Sequence, residues 1–281
     1  MKYSRLTALQ QMGTLEDYSI IHKKSAIIIG IGGIGSVTAE MLCRCGIGKL
    51  VLVDYDHVEE SNMNRMFYLP KHVGLLKTQA ASSTLNELNP QIIIQCLPEN
   101  ITLIGSYQKL IELINKGGIN ESKIDIVLCC VDNYAARTAI NAACISTNQT
   151  WIESGVSENA MNGHIQLFIP GNTSCYQCAP PLIVAMDGDE SKIKRDKVCT
   201  ASLPTTMSII AGLLAQNTLM YMLKFGSVAS NLFYSGLSNN FYTIEMKPNP
   251  ECTVCNKIHI SKEESKSENN IDLLRNELSK L

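Results

Sequence analysis

The sequence predicts an α/β fold built on a doubly wound, mostly parallel sheet. Three observations carry that expectation: short continuous apolar runs suited to strands buried on both faces, helix-like stretches between them, and a glycine-rich turn joining the first run to a helix. With 281 residues, the chain is long enough for one large α/β unit or two smaller domains, and its 45% hydrophobic content can fill a sizeable core. A mean hydropathy of +0.04 excludes a chain disordered throughout. The formal charge of −2, from 24 basic and 26 acidic residues, speaks against nucleic acid or an anionic membrane as the main partner. Met207–Leu223, the most apolar stretch, is interrupted by Gln216 and Asn217 and falls short of a membrane span, so no span is expected. The start, Met1-Lys2-Tyr3-Ser4-Arg5, has no apolar signal core. Eleven cysteines are an odd count, and many lie inside apolar runs. Reduced thiols fit that pattern, which points to a cytoplasmic or nuclear location.

In chain order, residues 1–20 read as a helical arm, with Leu6, Leu9 and Met12 on an amphipathic stretch over 4–18 that Gly13 can stop. Residues 21–260 hold the main domain. Ala26–Ile29 is its first strand, followed by Gly30-Ile31-Gly32-Gly33-Ile34-Gly35 and a helix to Cys45, and Lys49–Asp54 is the second strand. Apolar runs at Ile92–Leu97, Ile124–Val131 and His164–Ile169 predict further strands, separated by helix-like stretches at 75–88, 103–116 and 134–146. Beyond Pro170, the Cys-, Pro- and charge-rich segment 171–202 reads as a crossover excursion without regular structure. Ser202 can cap a helix with Pro204 in its first turn, running through Met207–Leu223 and closing near Gly226. Leu232–Ser235 and Phe241–Met246 read as closing strands, and Lys247-Pro248-Asn249-Pro250 then forces irregular backbone. Residues 261–281 are a polar tail, mobile or a lone helix, that cannot support a core. No internal repeat is present in the sequence.

The turn Gly30-x-Gly32-x-x-Gly35 lies between a strand and a helix, where glycines let backbone N–H groups approach a phosphate. Asp54 ends the next strand, placed to accept hydrogen bonds from a ribose. On this motif alone, an NAD(P) enzyme, an ATP enzyme and an unliganded βα turn all remain open. Asp56, the Ser61-Asn62-Met63-Asn64-Arg65 segment, Lys77 and Val131-Asp132-Asn133 add cations for phosphates and a carboxylate for Mg²⁺ at the sheet's C-terminal edge. Taken singly, Arg65 or Lys77 is an ordinary solvated charge. Cys175-x2-Cys178 and Cys252-x2-Cys255 have the spacing of two zinc-ligand pairs, and four thiolates complete a tetrahedral Zn²⁺ site that tethers the crossover segment to the end of the domain. The alternative is two redox or simply buried pairs. Cys199, in Lys194-Arg195-Asp196-Lys197-Val198-Cys199 ahead of a helix start, has surroundings that favour thiolate, as a nucleophile requires; a bystander surface cysteine fits equally well. The other six cysteines read as small buried hydrophobes. The five histidines show no ligand or triad spacing, and none is assigned a catalytic role.

Taken together, the Gly-x-Gly-Gly-x-Gly turn, the Asp-x-Asp after the second strand, the Asn-x-x-Arg segment, the lone Lys and the Val-Asp-Asn resemble the Rossmann-like adenylation domain of ubiquitin-like modifier-activating enzymes and their bacterial sulfur-carrier relatives. Longer stretches are similar to the compact branch of that family acting on ubiquitin-fold modifier 1: Tyr3-Ser4-Arg5-Leu6, Gly35–Leu42, Cys45–Leu50, Glu153–Asn159 and Ala201–Met207. The likeness covers roughly residues 3 to 256. It implies nucleotide contacts from Gly33, Asp54, Lys77, Asn100 and Asn133, with Arg65 near the phosphates and Asp132 near Mg²⁺. It makes Cys199 the thioester-forming residue and gives Cys175, Cys178, Cys252 and Cys255 a structural zinc. It also implies ATP, adenylation of a ubiquitin-fold modifier, transfer to a conjugating enzyme, and a homodimer. Three departures stand out. The second cysteine pair is more widely spaced in some family members, Gln10-Gln11 replaces a basic end of the arm and leaves Arg5 as its cation, and the family's tail motifs are not located in 257–281. The rival readings are an NAD(P)-dependent dehydrogenase, a non-catalytic scaffold subunit, and a sulfur-carrier adenylating enzyme that needs no thioester.

Overall fold

Ser25–Ile29 forms the first strand, β1, and all five of its residues are buried because the two faces of the sheet are both covered. The computed structural model describes residues 3–64, 67–178 and 201–256. Within them, α1 (Ser4–Gln11) precedes β1, and α2 (Gly35–Arg44), β2 (Lys49–Val53), α3 (Lys77–Leu88), β3 (Ile93–Leu97), α4 (Ile104–Lys116), β4 (Ile126–Cys129), α5 (Tyr134–Ser146) and β5 (Trp151–Val156) follow in βα alternation. The chain closes with β6 (Asn162–Phe168), α6 (Pro204–Leu223), β7 (Asn231–Ser235) and β8 (Asn240–Thr243). The strand order is β3-β2-β1-β4-β5-β6-β7-β8. The first five in that order pair in parallel, and β6, β7 and β8 are added antiparallel.

Alternation along the strands divides the core. Ala26, Ile28, Leu50, Leu52 and Ile126 face one way, against Val37 and Leu42 of α2, Leu85 of α3, and Ile210 and Leu214 of α6. Ile27, Ile29, Val51, Val127, Cys129 and Trp151 face the other, against Leu110 and Ile114 of α4 and Ile140 of α5. This is the doubly wound α/β architecture that the apolar runs predict.

The structure differs from the sequence reading at the start of α6, where Leu203 and not Ser202 takes the cap position, and in three larger respects. β5 has no counterpart among the expected strands, because Glu153, Ser154 and Gly155 give it the composition of a turn; only tertiary partners make it a buried central strand. The first helix ends at Gln11 rather than near residue 18, with Gly13 at φ +74° just beyond. Leu15, Tyr18 and Ile21 are then buried in the main core, and the Tyr18 hydroxyl donates to Cys45 O at 2.8 Å. Third, α6 spans 20 residues and, by length and composition, is apolar enough to cross a membrane. Half of that apolar window is buried inside the fold, with Ile210, Leu214 and Met222 packed into the sheet-side core.

Candidate functional site

The four strands β3, β2, β1 and β4 are adjacent and parallel, so their C-terminal ends share one edge of the sheet. The chain order reverses between β1 and β4, the switch point where doubly wound sheets bind ligands. The glycine turn leaves β1 there. Gly30 has φ +87°, and a Cβ on it would meet Cys130 O at 2.7 Å, so the turn can lie against the end of β4 only without a side chain. Gly32 faces open space, and Gly33 is buried at the entry to α2. Asp54, at the end of β2, is buried and accepts backbone N–H from Ile31 at 2.7 Å and from Asp56 at 2.9 Å. Burial raises its carboxyl above the ordinary range, and the charge of Lys77 opposes that. Lys77 opens α3, and its ammonium pairs with Asp56 at 2.8 Å. Beside it, the buried Thr78 side chain lies against the Cys96 thiol of β3. Asn100 follows β3, its side-chain oxygen held by the N–H and hydroxyl of Thr102. Asn133 caps α5 by accepting from Ala136 N–H at 2.9 Å, and Asp132 beside it is exposed.

The structure therefore gathers Gly33, Asp54, Lys77, Asn100, Asp132 and Asn133 onto one edge. Arg65 and Cys199 lie outside the described residues. Their described neighbours do meet: the Asn64 side-chain amide donates to Ser202 O at 3.3 Å, and Ala201 N donates to Glu158 O at 3.0 Å.

Cys175 and Cys178 follow β6, and Cys252 and Cys255 follow β8. Their four sulfurs lie within 4.8 Å of one another, with Cys175–Cys252 at 3.7 Å, Cys175–Cys178 at 3.8 Å and Cys178–Cys255 at 3.3 Å. Sulfurs about 2.3 Å from a central zinc stand roughly 3.8 Å apart, so this tetrad fits a tetrahedral thiolate site. Cys178 is held well below the ordinary thiol range, first by the thiol of Cys175. Among the described residues, Ile145 and Val254 pack against the tetrad, surroundings that suit a structural site. Of the other cysteines, Cys43, Cys129 and Cys144 are buried as expected, whereas Cys45, Cys96 and Cys130 are partly exposed.

Residues 3–254 match the ThiF family. The chain belongs to that family. Relatives named ubiquitin-like modifier-activating enzyme 5 share 53% identity over 250 residues in Bombyx mori and 56% over 252 residues in Dictyostelium discoideum. Each alignment covers 89% of this chain, but only 64% and 66% of the relative. The chain thus spans just under two thirds of the length of these curated relatives. Among solved structures, E. coli MccB with ATP superposes with a TM-score of 0.71 at 22% identity, covering 85% of this chain and 68% of that one. MccB in complex with N-formylated MccA gives 0.75 at 23% identity, covering 91% and 75%. At those identities the likeness shows the fold, and it agrees with the ThiF sheet described above.

One cluster of this ThiF chain is absent from the sequence reading. Glu153 of β5 is fully buried, with Arg137 Nε at 2.9 Å from one carboxylate oxygen and His164 Nε2 at 2.6 Å from the other. Burial pushes the Glu153 carboxyl up, but the charges of His164 and Arg137 outweigh it and leave the group below its usual range. The same carboxylate raises the His164 imidazole against burial. The signal for this cluster lay in strand register. Glu153 pairs with Gln166 across the β5–β6 hairpin, which puts His164 on the same face as its diagonal neighbour. A stability profile follows from the two shifts. The imidazole's contribution is complete below about pH 6.5 and is lost as pH rises through its raised folded value. That of the carboxylate is complete above about pH 4.3 and is lost as pH falls through its lowered one. Thermal melts between pH 6 and 9 should therefore show stability declining toward the alkaline side, with a shallower decline in His164→Gln. An identical slope in the two proteins would contradict it.

Proposed function

We propose that this chain is the adenylating core of an activating enzyme for a ubiquitin-like modifier, with a ubiquitin-fold modifier as the protein activated. The observation that carries the reading is the convergence of Asp54, Lys77, Asn100, Asp132 and Asn133 beside the glycine turn, in a ThiF chain whose relatives bear that name. Mg·ATP fits the residues present: the turn is open at Gly32, and Lys77 needs only to exchange Asp56 for a phosphate. In this reading Asp54 holds the ribose, Gly33 and its neighbours turn N–H groups to the phosphates, and Lys77 with Arg65 neutralises them. Asn100 and Asn133 add contacts, and Asp132 holds Mg²⁺, which when bound offsets charge developing at the α-phosphorus.

The modifier's C-terminal carboxylate attacks that phosphorus, and pyrophosphate leaves. The Cys199 thiolate attacks the acyl-adenylate carbonyl, AMP leaves, and the thioester goes on to a conjugating enzyme. Zinc held by Cys175, Cys178, Cys252 and Cys255 braces the fold. A homodimer in the cytoplasm completes the proposal.

The test is Cys199→Ser, assayed with a panel of ubiquitin-like proteins. Modifier-dependent exchange of pyrophosphate into ATP should persist, while the reductant-sensitive adduct disappears. A surviving adduct would assign the thioester to another cysteine, and an absence of exchange with every modifier in the wild-type protein would sink the reading.

A further inference from the structure

α5 lies between the two candidate sites. Its N-terminus carries Asp132 and Asn133, and one turn on, Arg137 N donates to Asn133 O at 3.3 Å. Farther along, Asn141 accepts from Tyr176 N at 3.2 Å and donates to Gln177 at 3.2 Å, so the same helix grips the Cys175–Cys178 knuckle. The Arg137 guanidinium also interacts with the Tyr176 side chain. What fixes Arg137 in turn is Glu153, fully buried beside Cys129, where an apolar side chain would cost less desolvation. Gly155 makes room for the arrangement. A Cβ there would come within 2.8 Å of His164 Cε1 and 3.0 Å of Arg137 Nη2.

We propose that Glu153 is a positioning residue of the nucleotide edge: gripped by Arg137 and His164, its carboxylate holds the first turn of α5, and with it Asp132 and Asn133, at a fixed place against β5. The inference rests on the adenylating role of that edge. An ion pair with both partners on different elements has one low-energy arrangement, whereas an apolar contact at the same place tolerates sliding. The backbone bond from Arg137 to Asn133 and the cap on Ala136 N pass the constraint to the two residues at the edge within a single helical turn.

Glu153→Gln keeps the volume and removes the charge; Gly155→Ala keeps every charge and displaces Arg137 and His164. Both proteins are compared with wild type below their melting midpoints, after checking metal content and circular dichroism. Hydrogen exchange at the Ala136 and Arg137 amides should rise about tenfold or more in each variant, with the β1 amides unchanged. With a competent modifier, kcat for pyrophosphate exchange should fall at least tenfold in both, while KM for ATP moves less than threefold. Unchanged amide exchange, or a loss of rate that merely tracks the unfolded fraction, would overturn the proposal. The amide measurement needs no activity and so decides the point even if the wild-type protein activates no modifier, a result that would count against the proposed function itself.

Discussion

Lys77→Ala and Asp132→Ala should each lower modifier-dependent pyrophosphate exchange by about 10²–10³-fold, the usual effect of removing a charge that meets the transition state. Adenylation crowds negative charge onto phosphorus as the carboxylate enters and pyrophosphate departs. Lys77 is the cation on this edge with its ammonium held inward, only 11% exposed, while its partner Asp56 is 49% exposed. Losing Lys77 leaves Asp56 in reach of water but also removes the charge that opposes the burial of Asp54, so that variant is assayed below its own melting midpoint. Asp132 is exposed, and its loss should be mild for stability. Asp54→Ala is a poorer probe, since it also releases the Ile31 and Asp56 amides that tie the glycine turn to β2. Exchange at the wild-type rate in both Lys77→Ala and Asp132→Ala, in folded protein, would refute the assignment.

The second large effect concerns the cysteine tetrad. Purified protein should carry about one zinc per chain, and Cys175→Ser or Cys252→Ser should lose it and melt about 10 °C lower or more. The reason is topological. Cys175 and Cys252 lie 77 positions apart, and the metal joins the end of β6 to the segment after β8. Without it, four thiols crowd within 4.8 Å with no cation to favour their thiolates. Residual exchange activity measured well below the new midpoint should survive, because among the described residues the knuckle reaches the nucleotide edge only indirectly, through α5 residues such as Asn141. Metal analysis returning no zinc from protein never exposed to chelator would refute this, as would an unchanged midpoint in the serine variants.

The parallel half of the fold is legible in the chain because buried parallel strands announce themselves as unbroken apolar runs. Ile27-Ile28-Ile29 and Leu50–Val53 are such runs, and the residues at their ends point to the edge that Asp54 and Asn133 share. β5 is illegible for the complementary reason. Its central Glu153-Ser154-Gly155 is held by partners on other elements: Arg137 and His164 pair with Glu153, and the Ser154 hydroxyl donates to Cys129 O. A single sequence carries no sign that a buried carboxylate will be paired. The cysteine spacing foretold the tetrad, since two Cys-x2-Cys pairs suit one ligand set however far apart they stand. The hidden cluster needed the β5–β6 register, which no local pattern supplies.

The pairing of β1 with β4 also bears on how the protein is made. Ala26 pairs with Ile126, 100 residues farther along, whereas Lys49 of β2 reaches Ser25 far sooner. During synthesis at about 5–20 residues per second, the β3-β2-β1 half-sheet can assemble once β3 is made and then wait roughly 2–6 s before β4 leaves the ribosome. Throughout that interval the free edge is Ala26–Ile29, an unbroken apolar run, with the N–H and C=O groups that later pair with β4 still unpaired. Nascent chains of this protein should therefore depend on a chaperone that shields one strand edge, and slowing translation between residues 54 and 126 should lower the soluble yield rather than raise it.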